Sequence, residues 1–186
     1  EGGSLAVPNS NEIIPFINLL MEENIYDEIV FSQDWHPANH KSFASNNGRK
    51  VGESILLNGG KQFMWPDHCV QNTFGAEFHP DLNIEKATHI VKKGMNVEID
   101  SYSAFQDNNH FTKTDLDDFL KFNEIQLVEI VGLALDYCVK YTCIDAVNNG
   151  YITCLHFNGT KAVNAKPDSD KDTIYDLLKR GVTILC

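Results

Sequence analysis

The stretch Leu127-Val128-Glu129-Ile130-Val131-Gly132-Leu133-Ala134-Leu135-Asp136-Tyr137-Cys138-Val139 decides the fold. Residues 127–134 are nearly continuous in apolar side chains, as suits a parallel strand covered on both faces. Asp136 then reads as a cap, opening a helix from Tyr137 to about Asn149 that Gly150 stops. Cys138 would sit on the first helical turn, beside unpaired backbone N–H groups whose partial positive charge favours thiolate over thiol. Read alone, such a cysteine is more often an inert small hydrophobe packed on a sheet.

Outward from this strand and helix, the same alternation recurs. A helix is predicted over 12–23, capped by Asn11 with Pro15 in its first turn, and a strand over 28–32. Another strand is predicted over 87–92, then a helix opened by Thr114 and Asp115 that carries Leu116, Phe119, Leu120 and Phe122. A strand over 151–157, a helix over 170–180 and a strand over 182–186 complete the pattern. Repeated strand-helix units imply parallel strands joined by right-handed crossovers: an α/β fold, one parallel sheet with helices on both faces, in a single domain over 1–186. Residues 44–62, rich in Asn, Gly and Lys around Ile55-Leu56-Leu57, read as a long loop or lid.

Composition narrows the partners. The chain has 186 residues, 42% of them hydrophobic, enough for one sizeable core and one cleft. Fifteen basic against 26 acidic residues give a net charge of −11, which argues against nucleic-acid backbones and anionic membranes and favours a small neutral or cationic substrate. No apolar run approaches the roughly 20 residues of a membrane span and no charged-then-apolar leader opens the sequence, so a cytoplasmic location is expected. The five cysteines are odd in number and lack a CxxC pair, as expected of reduced thiols; apart from Cys138 they read as small core residues.

Chemistry-bearing residues gather where such folds bind ligands. Asp34, Lys93 and Cys138 each follow a predicted strand, and ligands of open α/β sheets sit outside the carboxyl ends of the strands. Asp34, His36 and His40, with His68 beyond the loop, offer mixed nitrogen and oxygen donors that suit zinc, iron or manganese. An isolated Asp-x-His is commonly a surface or core pair; the neighbouring histidines strengthen the reading. An ammonium at Lys93 would lower the thiol pKa further, although a lysine there is otherwise a solvated strand end, as Lys92 is expected to be. Trp65, Tyr102 and Phe105 can wall an aromatic ligand or serve as ordinary packing. His79, His89, His110 and His156 lack ligand-like neighbours and read as structural.

Six segments together resemble the nicotinamidase/pyrazinamidase group of the isochorismatase-like hydrolases: residues 1–8, 34–44, 65–72, Lys93-Gly94, 100–105 and 132–139. The resemblance implies a three-layer α/β/α fold with Cys138 as nucleophile and Lys93 as the lysine of an Asp-Lys-Cys triad. Asp34, His36 and His68 would hold a divalent metal, zinc first and iron or manganese next, with His40 a ligand in some relatives only. Trp65 would flank the substrate ring, Tyr102 would complete the wall, and the N–H groups of Ala134 and Cys138 would form an oxyanion hole beside a cis Leu133–Ala134 peptide. The implied activity is hydrolysis of nicotinamide to nicotinate and ammonia, a step of NAD salvage, with a homo-oligomer left open. The group's catalytic aspartate ends a first, central strand ahead of the segment matching residues 1–8, so the natural chain is expected to extend ahead of Glu1. Two alternatives stand beside this reading: a relative acting on N-carbamoyl compounds or other small amides, and a catalytically dead metal-binding module.

Overall fold

The computed structural model describes residues 2–186; Glu1, the first residue of the leading resemblance segment, lies outside the described residues. In chain order the elements are α1 (Ile13–Glu22), β1 (Val30–Asp34), β2 (Ser54–Leu57), β3 (Gly60–Phe63), β4 (His89–Lys93), α2 (Leu116–Phe122), β5 (Leu127–Leu133), α3 (Lys140–Asn148), β6 (Ile152–Lys161), α4 (Ser169–Lys179) and β7 (Thr183–Leu185). β1 pairs parallel with β4, and β5, β6 and β7 form a parallel three-stranded sheet in that order. Parallel neighbours cannot be joined by tight turns, and α3 and α4 supply the crossovers from β5 to β6 and from β6 to β7.

The helix periodicities define three packed clusters. Leu135, Val139, Cys143, Leu155, Leu177 and Val182 bury α3 and α4 against the three-stranded sheet, and each fully covered leucine there contributes about 1.5–3 kcal/mol. Ile13, Ile17 and Met21, spaced four apart, seat α1. Val91, Ala104, Phe105, Leu116, Leu120, Ala146 and Tyr151 form the third. Phe105, 3% exposed, is therefore core and walls no ligand.

Several expectations need correction. Residues 44–62 are not a structureless lid: β2 and β3 pair antiparallel as a hairpin, its apolar Ile55-Leu56-Leu57 forming most of one strand. Asn11 does not cap α1; it lies inside a 3₁₀ turn over Ser10–Glu12 that leads into the helix without a side-chain cap. The helix after β5 begins as a π-helical turn over Leu135–Val139, in which the N–H groups of Tyr137 and Val139 both reach the Ala134 carbonyl, at 3.0 and 3.1 Å. Asp136 is no cap. Its carboxylate accepts the N–H groups of Val163 and Asn164, both at 2.9 Å, and the Ser169 hydroxyl at 2.5 Å, so it clips the segment after β6 to the turn.

β5 is half-buried from Val128 to Gly132, where its apolar pattern predicts full cover. The reason lies at its open edge. One side of β5 pairs with β6, while the other faces β1 across a cavity of about 460 Å³ lined by Val30 to Asp34 on one flank and Glu129 to Leu133 on the other. Among the described residues, no helix is long and apolar enough to cross a membrane.

Candidate active site

Parallel pairing of β1 with β4 sets Asp34 level with Lys93, so the two side chains emerge together at the carboxyl ends of their strands. Lys93 is 4% exposed, and an ammonium this far from water must spend all three protons. Nζ donates to the Ser101 carbonyl oxygen at 2.8 Å and to Cys138 Sγ at 3.4 Å, and forms an ion pair with Asp34 Oδ1 at 2.5 Å. Burial alone would lower the lysine pKa, but the Asp34 carboxylate holds it above its ordinary value. Burial would likewise raise the Asp34 pKa, and Lys93 with His36 holds it down at about 2.

Cys138 thus meets Lys93, as the resemblance implies, and the Leu133–Ala134 peptide before it is cis. The direction of its pKa differs from the sequence expectation. Burial pushes the thiol up to about 11, Lys93 pulls it down and the nearby Asp34 charge opposes that pull. A thiol so placed needs a base to take its proton as it attacks.

Asp34, His36 and His68 bring one ligand atom each within 4.8 Å of one another. The tautomers suit a metal. His36 Nδ1 donates to the Gly94 carbonyl at 2.9 Å and His68 Nδ1 to the Pro66 carbonyl at 2.7 Å, leaving each Nε2 lone pair free. Burial lowers the His68 pKa and so keeps that lone pair at neutral pH. Gly94 is demanded here: its φ is +66°, and a Cβ would come within 2.3 Å of His36 Cε1. The fully buried His40 adds a second overlapping set with His36 and Asp100; its Nε2 has no hydrogen-bond partner among the described residues, and burial takes its pKa down to about 4.

Trp65 stands edge-on to Tyr137, with ring centroids 4.7 Å apart, and its indole N–H donates to the Tyr102 hydroxyl at 3.2 Å. With Asp34, His68, Ala134 and Cys138 these rings line a cavity of about 450 Å³, large enough for a small aromatic molecule. The second cavity, between β1 and β5, reaches Asp34, Lys93 and Cys138 from the other side. Of the residues singled out in the sequence, Asp34, His36, Trp65, His68, Tyr102, Ala134 and Cys138 line the first hollow, and Lys93 touches two of them. Sequence reading missed Tyr137, hidden by its place in an apparent helix, and gave no role to Asp100, although it opens one of the resembling segments, or to Gln62, which lies in none.

Other expectations concern residues away from the hollow. His89 stacks on Phe119 with ring centroids 4.2 Å apart, and His156 pairs with Glu129 at 2.6 Å, so both serve the structure. Cys143 and Cys154 are core residues as expected, whereas Cys69 is half-buried beside the site and Cys186 is exposed. Lys92 is exposed near its strand end, as expected, with its ammonium 3.7 Å from the centre of the Trp35 ring.

Comparison with known proteins identifies the family of the fold. The isochorismatase domain model matches residues 3–185. A nicotinamidase of Escherichia coli K12 is 41% identical over 185 residues, 98% of this chain and 87% of that protein. A nicotinamidase/pyrazinamidase structure from Acinetobacter baumanii superposes with a TM-score of 0.94 at 42% identity, covering 100% of this chain and 88% of the other. A Pyrococcus horikoshii pyrazinamidase solved in complex with zinc gives 0.80 at 34% identity, covering 99% and 90%. The chain belongs to the isochorismatase family, in its nicotinamidase/pyrazinamidase branch.

Proposed function

We propose that this protein is a metal-assisted cysteine amidase that hydrolyses nicotinamide to nicotinate and ammonia, a reaction that serves NAD salvage. The observation that carries the reading is the Lys93 ammonium, which touches both Asp34 of the candidate metal set and the Cys138 sulfur. Asp34, His36 and His68 would hold a divalent ion, and their mixed donors suit zinc, iron(II) or manganese. When bound, the metal supplies an electrophile for the lone pair of the pyridine nitrogen and so orients the ring.

The protein's own groups do the rest. Trp65, Tyr102 and Tyr137 flank the planar ring and exclude water from it. Lys93 stabilises the sulfur anion as the Cys138 proton leaves, and the sulfur attacks the carboxamide carbon. By the resemblance, the proton acceptor is the aspartate of the Asp-Lys-Cys triad. Backbone N–H groups of Ala134 and Cys138 hold the developing oxyanion. Ammonia departs with the transferred proton, and water cleaves the nicotinoyl thioester to release nicotinate and regenerate the thiol.

Ammonia release from nicotinamide and from N-carbamoylsarcosine, measured side by side on the full-length protein, tests the assignment. Turnover of nicotinamide at least a hundredfold faster is expected. Equal rates, or preference for the carbamoyl compound, would move the protein to another branch of amidase chemistry.

A further inference from the structure

Asp100 is a buried carboxylate, 4% exposed, that the reaction above does not use. Its two oxygens face different parts of the molecule. Oδ1 accepts the backbone N–H of Ser101 at 2.8 Å, and Oδ2 accepts the side-chain amide of Gln62 at 3.1 Å. Gln62 belongs to β3, the inner strand of the hairpin, and is itself buried; the same amide donates to the Phe63 carbonyl at 2.8 Å. On the other side, Ser101 presents the carbonyl that takes one proton of the Lys93 ammonium. The single proton of the Ser101 hydroxyl is shared between the carbonyls of Ser103 and Gln106, at 3.1 and 3.0 Å, which further restrains this short segment.

The geometry points to Asp100, anchored by Gln62, as a positioning residue for Lys93. An ammonium has three protons in fixed tetrahedral relation. Holding one on the Ser101 carbonyl leaves the others facing Cys138 and the Asp34 carboxylate; Asp100 fixes the peptide that enters Ser101, while Asn108 Oδ1, accepting the Tyr102 N–H at 3.0 Å, fixes the peptide that carries the carbonyl. A chain of contacts thereby runs from the hairpin through Gln62, Asp100, Ser101 and Lys93 to the sulfur, so the hairpin's seating is read out at the nucleophile. Burying a carboxylate near a thiol is costly for thiolate formation, and the Asp100 charge works in that direction on Cys138. Its retention there fits a hydrogen-bonding role better than an electrostatic one.

This inference rests on the proposed amidase reading, and its test separates the two. Asp100→Ala, Asp100→Asn and Gln62→Leu are made in the full-length protein. For each, kcat and KM for nicotinamide, bound metal and the rate of Cys138 alkylation by iodoacetamide are measured. Positioning predicts that Asp100→Ala lowers kcat about tenfold or more with KM changed less than threefold and metal retained, and that it slows alkylation severalfold. Asp100→Asn still accepts the Ser101 N–H, and Gln62 can turn its amide to meet it, so this variant should recover kcat and alkylation to within about threefold of wild type. Gln62→Leu should show the Asp100→Ala pattern at about threefold, which decides the matter should Asp100→Ala fail to fold.

Faster alkylation in both Asp100 variants would overturn the proposal in favour of a bare charge effect, and loss of metal with a raised KM would overturn it in favour of metal ligation. Unchanged kcat and alkylation in Asp100→Ala and Gln62→Leu would overturn it outright. Should the wild-type protein fail to turn over nicotinamide, the proposed function falls, and the alkylation rates still decide on Asp100.

Discussion

Two aspartates at the rim of the strands, the half-buried Asp34 ending β1 and the buried Asp136 after β5, are spent in opposite ways. Asp136 is saturated by protein donors: two backbone N–H groups and a hydroxyl, all fixed by the fold. Asp34 has the Lys93 ammonium on Oδ1, while Oδ2 faces His36 Nε2 at 3.9 Å, a separation that suits two ligands of one cation rather than a hydrogen bond. Both residues follow apolar strands in the sequence. What separates them is where their lone pairs go: a carboxylate filled by the chain builds structure, and one left with a lone pair beside other lone pairs is set for chemistry.

Substitutions sharpen that contrast, beginning with the sulfur that Asp34 reaches through Lys93. Cys138→Ala should lower ammonia release by about 10⁴-fold or more with bound metal unchanged, as a lost nucleophile does. Asp34→Asn should cost about a thousandfold in rate and most of the bound metal, because it removes a ligand and the partner of Lys93 together. Asp136→Ala should do the reverse, keeping the metal but losing about 3 kcal/mol of stability from stranded donors, a fall in Tm of roughly 6–12 °C by calorimetry. Equal metal loss in both variants would erase the distinction.

Smaller effects test the surroundings of Asp34. Gly94→Ala drives a Cβ into the His36 ring and should weaken metal binding about tenfold in a competitive chelator titration. The metal-free protein should be acid-sensitive through His40, whose pKa falls from an ordinary 6.5 to about 4 on burial. A lowered histidine pKa means that the unfolded chain binds the extra proton first. The urea midpoint should therefore hold above about pH 6.5 and decline towards pH 4, and His40→Gln should flatten that decline. Trp65→Phe keeps a ring but loses the N–H that reaches Tyr102, and should raise KM about threefold with little change in kcat.

Much of this was legible in the sequence, for identifiable reasons. The continuous apolar run of β5 and the periodic faces of α1 and α4 announce themselves, because burial writes its period directly into residue type. Strand ends, in turn, gave Asp34, Lys93 and Cys138. The hairpin of β2 and β3 stayed hidden: Ser54–Leu57 and Gly60–Phe63 are each four residues long, too short for a period to stand out among glycines and asparagines. Asp136 was misread because its partners, Val163, Asn164 and Ser169, lie far along the chain, and a local motif cannot distinguish a cap from a clip. The sense of the Cys138 pKa was also misread. A helix-end argument sees the local dipole, whereas depth of burial and the Asp34 charge depend on the assembled fold.

The most direct test of the account strips and restores the metal on the full-length protein while metal content and ammonia release from nicotinamide are followed in the same samples. The account predicts that activity falls at least tenfold as metal leaves and returns with one equivalent of zinc, iron(II) or manganese per chain, in the wild type but not in the Asp34, His36 or His68 alanine variants. Full activity in a preparation holding less than about a tenth of an equivalent of metal would contradict it.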